Sequence, residues 1–169
     1  MTDAMFPDEK DAVASTAATP HMEYHPVANN SFMIRTRQNP HLYLTLENDE
    51  LKVQDTLPPG GGWLWNCVKN CGWYGVRNTA SGTYLGHDRK GNIVAKAPHH
   101  KDNEYFIVDR QSEGGYALLA WHGNQLIEVV LLEGVYGLFE RVERTDVAAA
   151  WDFIDVKFVS VPVRVKTSL

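Results

Sequence analysis

Residues 72–95 read Gly72-Trp73-Tyr74-Gly75-Val76-Arg77-Asn78-Thr79-Ala80-Ser81-Gly82-Thr83-Tyr84-Leu85-Gly86-His87-Asp88-Arg89-Lys90-Gly91-Asn92-Ile93-Val94-Ala95, and past a polar loop the chain continues Glu104-Tyr105-Phe106-Ile107-Val108. Four short apolar segments stand here, at 73–77, 83–86, 92–95 and 104–108. Between them lie Thr79-Ala80-Ser81-Gly82, Asp88-Arg89-Lys90-Gly91 and the His99-His100-Lys101-Asp102 loop. Brief alternating apolar runs bounded by Gly, Ser, Asn and Asp are the pattern of β-strands joined by tight turns. Gly82, Gly86 and Gly91 fall where hairpins need positive φ or close backbone approach.

The same pattern precedes and follows this stretch. First-strand aromatics fall at Phe32, Trp73 and Tyr116, second-strand positions at Leu44, Leu85 and Ile127, and third-strand positions at Leu51, Ile93 and Val135. Fourth-strand aromatics are Trp65, Phe106 and Phe153, the last displaced by the Ala148-Ala149-Ala150 loop. Spacings of 41 to 43 residues recur, except for 47 at that displaced step. A four-strand unit cannot bury its own apolar face, so three such units must share one core. Twelve short strands in three equal units predict an all-β fold, the β-trefoil: a six-stranded barrel closed by a three-hairpin cap. A three-bladed propeller is disfavoured, since propellers need four or more blades. The expected repeats are 31–71, 72–113 and 114–156 in one domain over 31–169, followed by a C-terminal extension.

Residues 1–30 read as a flexible or extended arm, with a weak helical signal over 8–16. They carry Asp3, Asp8, Glu9, Asp11 and Glu23 against Lys10 alone, which accounts for most of the net charge of −5 over 169 residues. That balance argues against nucleic acid as a partner. No apolar run approaches the roughly 20 residues of a membrane helix, so no membrane partner is expected. The acidic, proline-broken start lacks the pattern of a secretory signal, and the expected location is cytoplasmic. Cys67 and Cys71 read as reduced thiols, one in a strand and one in the following turn, with a hairpin-spanning disulfide as the alternative. Lys157, Arg164 and Lys166 near the C-terminus read as a lysine-guarded strand edge.

The phrase Ser81-Gly82-Thr83-Tyr84-Leu85, followed by Gly91-Asn92-Ile93-Val94, resembles the repeats of the fascin-like, actin-crosslinking β-trefoils. His87-Asp88-Arg89-Lys90-Gly91-Asn92-Ile93-Val94 also resembles the His-x-x-x-Gly-x-x-Val turn of histidine-rich actin-binding trefoils. The first repeat departs from this with Glu47-Asn48-Asp49-Glu50, and the third with Leu132-Glu133-Gly134. The resemblance implies a trefoil that binds a protein partner, actin foremost, with His87 or His99-His100 as a pH-responsive element. The Gln-x-Trp motif of ricin-type lectins is absent, so a sugar site of that type is not expected.

Candidate chemistry is sparse. Trp121-His122-Gly123-Asn124-Gln125 places an aromatic beside hydrogen-bonding side chains on a hairpin turn, which suits a sugar or small polar ligand. The plainer reading is a Trp on the barrel rim above an ordinary turn. His87-Asp88 offers an imidazole beside a carboxylate, and His99-His100 a polar loop. The candidate ligand-binding residues are therefore Trp121, His122, Asn124, His87, Asp88, His99 and His100. No catalytic residue, metal site or cofactor is expected, because no nucleophile, phosphate-loop or zinc motif is present. Three readings follow: a protein-binding module, an intracellular lectin or small-ligand binder, and an enzyme using a trefoil pocket for cyclisation or isomerisation.

Overall fold

Alternating apolar residues and tight turns produce, among the described residues, twelve strands: β1 (Ser31–Thr36), β2 (Tyr43–Glu47), β3 (Glu50–Gln54), β4 (Trp65–Asn70), β5 (Trp73–Asn78), β6 (Tyr84–His87), β7 (Ile93–Ala97), β8 (Phe106–Arg110), β9 (Tyr116–His122), β10 (Gln125–Leu131), β11 (Leu138–Arg141) and β12 (Trp151–Asp155). The structure, a computed structural model, describes residues 25–131, 138–141 and 150–156. The expected helix over 8–16, Val135 and the basic stretch from Lys157 onward lie outside these residues.

Antiparallel pairing closes a ring. β1 pairs with β4, β4 with β5, β5 with β8, β8 with β9, β9 with β12, and β12 returns to β1. The remaining six strands form the hairpins β2–β3, β6–β7 and β10–β11. β3, β7 and β11 contact one another, so the hairpins meet as a cap. This is the six-stranded barrel and three-hairpin cap expected from the repeat. Adjacent positive-φ residues make the tight turns at Asn48-Asp49, Cys71-Gly72 and Gly123-Asn124, the two-residue geometry that suits strand twist.

The register corrects the repeat assignments in the first, second and fourth strands. In the second, Arg35 pairs with Tyr43, Arg77 with Tyr84 and Leu119 with Glu128, so the equivalents are the residues that follow, Leu44, Leu85 and Val129, and Ile127 is not one of them. Phe32 pairs with Trp65, Tyr74 with Phe106, and Tyr116 with Trp151. The structural equivalents in the first strand are thus Phe32, Tyr74 and Tyr116, and Trp73 belongs to the opposite face. In the fourth strand they are Trp65, Phe106 and Trp151, with Phe153 a further core residue. Trp65 and Trp151 confirm their equivalence chemically, each donating its indole N–H to a second-strand carbonyl: Leu44 at 2.9 Å and Val129 at 3.5 Å. The misassignment has a plain cause. Two aromatics stand side by side at 73–74, and one slip in a period-two strand exchanges the faces.

Residues 25–30 run along the barrel. The Asn29 N–H donates to the Cys67 carbonyl at 2.6 Å, and the Cys67 N–H to Asn30 at 2.9 Å. The His25 ring meets Tyr74 and Tyr116 edge-on. Cys67 is buried, and that burial pushes its thiol pKa up to about 11 against a weaker opposing pull from Lys69. Cys71 is exposed, and neither cysteine is in a disulfide.

Candidate functional site

In β9, Tyr116, Leu118 and Ala120 point into the core, so Trp121 falls on the outer face and His122 on the other. The sequence segment read as one cluster is therefore split. Trp121 joins Trp73 and Tyr105 on the outer face. Trp73 stacks on Tyr105 with ring centroids 5.3 Å apart and planes 7° from parallel, and lies 5.3 Å from the Trp121 ring. A backbone bond from Trp121 N to the Tyr105 carbonyl, 3.0 Å, fixes the two supporting segments. All three rings are half-buried, and Leu126, opposite Trp121 on β10, is exposed. Packed on one another, these half-buried rings form a shelf on the outer face.

His100 extends the shelf. It stacks on Tyr84, meets Tyr105 edge-on at 5.0 Å, and places Nε2 3.2 Å from the Tyr74 carbonyl. Gly75 makes this possible, since a Cβ there would come within 2.8 Å of the imidazole. Burial is the main cause of a lowered His100 pKa, with bonds to backbone opposing it. The unfolded chain then binds the proton more readily, so His100 contributes stability at neutral pH that is lost as pH falls below about 6.5. Urea unfolding at pH 7.5 and 5.5 should show a steeper acid loss in the parent than in His100→Gln. Glu104 works oppositely: burial raises its pKa, favouring the fold below its unfolded value and less so as pH rises. His99 is exposed and turned to solvent, apart from this packing.

His122 lies against His87, with ring centroids 3.9 Å apart and planes 16° from parallel. His87 is buried, and its two ring nitrogens each lie 3.0 Å from a carbonyl oxygen, Nδ1 from Asp88 and Nε2 from Trp121. It ties β6 to the strand carrying the shelf. The Asp88 carboxylate does not orient this imidazole. It accepts the Lys90 and Asn92 backbone N–H groups and the Asn92 side chain, and the Asn92 side chain contributes most to lowering its pKa. Asn124 is exposed and occupies the second positive-φ position of the hairpin turn. Among the described residues no three His, Cys, Asp or Glu side chains gather as a metal would require.

Depressions among the described residues accompany the shelf. A cleft of about 1070 Å³ lies between β3 and β7, with Leu51, Val53, Ile93 and Ala95 among its lining and none of the candidate residues. A smaller groove of about 330 Å³ separates the β6–β7 turn from the β9–β10 hairpin, and His122 lines it. Sequence reading singled out Trp121 but missed Trp73 and Tyr105. All three occupy outward positions next to core residues, a parity signal that the misassigned Trp73 concealed.

No family model and no curated protein sequence matches the chain. Solved structures match by shape. A GlcNAcα1-4Gal-releasing endo-β-galactosidase from Clostridium perfringens is 20% identical with a TM-score of 0.65, over 75% of this chain and 32% of that one. The present chain thus spans about a third of that enzyme's length. The β-trefoil protein BEL is 10% identical, TM-score 0.63, over 79% of this chain and 97% of its own. A Macrolepiota procera ricin B-like lectin in complex with lactose is 14% identical, TM-score 0.61, over 78% and 99%. At such identities the likeness is one of fold. The closed ring, the hairpin cap and these likenesses agree: the chain is a β-trefoil.

Proposed function

We propose that this β-trefoil is a non-catalytic carbohydrate-binding module whose sugar stacks on Trp73, Tyr105 and Trp121. One observation carries the reading: three separate segments bring half-exposed aromatic rings to one outer face. A pyranose has an apolar C–H face that packs on such rings, while polar groups at the margin fix its hydroxyls. Exposed Asn124 at the hairpin tip supplies a hydrogen-bonding side chain. The lactose-bound trefoil lectin supports the reading by fold.

The actin reading rested on the turn phrases of the second repeat, and folding accounts for those residues. Ser81 Oγ lies 2.7 Å from Thr83 Oγ1, and Asp88 is committed to its own turn. The pocketed histidine that the enzyme reading calls for is not among the described residues lining the broad cleft, which carries Asp49, Glu50, Asp55, Lys52 and Lys96. His100 is packed beneath tyrosine rings instead.

Trp121→Ala is expected to weaken saccharide binding at least about tenfold, since an aromatic contact of this kind is worth about 1 kcal/mol beyond its buried area. Titration of the parent and variant with a lactose series, following tryptophan fluorescence, checks this. Unaltered circular dichroism in the variant separates lost binding from lost fold. Equal affinity in the two proteins would contradict the shelf.

A further inference from the structure

We propose that the sugar held on the shelf is acidic, and that its carboxylate or sulfate sits in the groove between the β6–β7 turn and the β9–β10 hairpin. This rests on the carbohydrate reading above. Arg89, Lys90 and Gly91 form one wall of the groove, and His122, Gly123 and Gln125 the other. Among the described residues no carboxylate lines it. The nearest in sequence, Asp88, is held by the Lys90 and Asn92 amides and the Asn92 side chain at 2.8–2.9 Å. Those bonds hold the turn in shape, and the Arg89 and Lys90 residues are exposed. A cationic groove in a chain of net charge −5 is a local feature, not an overall bias.

The groove and the shelf share a wall. Trp121 and His122 are neighbours on β9 that project to opposite faces, so the hairpin separates the two by its own thickness. At its tip Gly123 has open space where a side chain would stand. A sugar chain stacked on Trp121 can therefore cross the tip and place a substituent in the groove. The wall is also prearranged, because the His122 ring lies on His87, which is held between two carbonyls. About 330 Å³ is small for a whole ligand and suited to one acidic sugar or substituent. Arg and Lys donors to an anionic oxygen make the stronger, charge-assisted hydrogen bonds.

Calorimetric titration with lactose, 3′-sialyllactose and 3′-sulfated lactose tests this, the last two distinguishing carboxylate from sulfate. At least one acidic sugar is expected to bind about tenfold more tightly than lactose. Arg89→Ala combined with Lys90→Ala should remove that advantage and leave lactose binding unchanged. Raising the salt to about 0.5 M should narrow the difference. Equal affinities for acidic and neutral sugars in the parent, or an advantage retained in the double variant, would overturn the groove while leaving the shelf intact. Absence of binding by all three sugars would overturn both. Inorganic sulfate alone, followed through the amide resonances of Lys90, Gly91 and Gly123, reads the groove without the shelf. Shifts there support its anion preference, and no shift opposes it.

Discussion

Replacing Trp65 with alanine is expected to destabilise the protein by about 3–5 kcal/mol, a large share of a domain's usual stability. Trp65 is 1% exposed and sits where the barrel meets the first cap hairpin. Removing it leaves a cavity among rigid barrel strands, and the lost packing is only partly recovered by relaxation. It also leaves the Leu44 carbonyl without its 2.9 Å indole partner, a further penalty for a buried acceptor. Trp65→Phe should cost less, because Phe106 fills the equivalent place in the second repeat without an N–H donor. Urea unfolding of both variants checks the order. A Trp65→Ala loss under about 1 kcal/mol would contradict the assigned core.

Gly62→Ala should be nearly as damaging, at roughly 2–4 kcal/mol. Its cause is contact, not positive φ: an added Cβ would collide with the Leu46 carbonyl oxygen, a backbone atom that cannot swing aside. The Gly62 carbonyl meanwhile accepts the Leu46 N–H and the Asn78 side chain, both at 2.8 Å. Asn78 is fully buried, and its oxygen caps the Ala80 and Ser81 amides. Moving Gly62 therefore disturbs the first cap hairpin and the β5–β6 turn together. Gly61→Ala is the useful contrast. It has open space but a φ of +73°, so only a left-handed backbone penalty of about 1–2 kcal/mol applies. Thermal and urea unfolding of the pair should separate a steric from a conformational cost, and equal losses would contradict the distinction.

The architecture was legible because turn residues and apolar spacing repeat together. One apolar position alone would not have fixed three units, but four classes at a common period did. What the repeat could not resolve was which of two adjacent aromatics faces inward. Trp73 and Tyr74 are nearly interchangeable as apolar residues, and only pairing with Phe106 settles the face. The shelf was hidden by that same ambiguity. Tyr105 was obscure for another reason: it precedes Phe106, which takes the core position, and meets Trp73 and Trp121 only after the barrel closes.

The histidines show the opposite case. His99 and His100 are adjacent, yet one is exposed and the other packs where Gly75 leaves room. No local motif announces that space. His87 and Asp88 form a suggestive pair in sequence, but the carboxylate is bound into a tight turn by residues two and four positions later. Local hydrogen bonding of this kind is the ordinary use of aspartate in a turn.

The central claim is that sugar stacks on the outer aromatic shelf, and the five tryptophans offer a direct test. Their indole N–H resonances can be followed in one two-dimensional nitrogen–proton spectrum during titration with lactose and its sialylated and sulfated forms. Trp73 and Trp121 should shift together and saturably, while Trp65 and Trp151, buried in the barrel, should stay in place. Shifts confined to Trp63, or no shift at either shelf tryptophan with any of these sugars, would contradict the account.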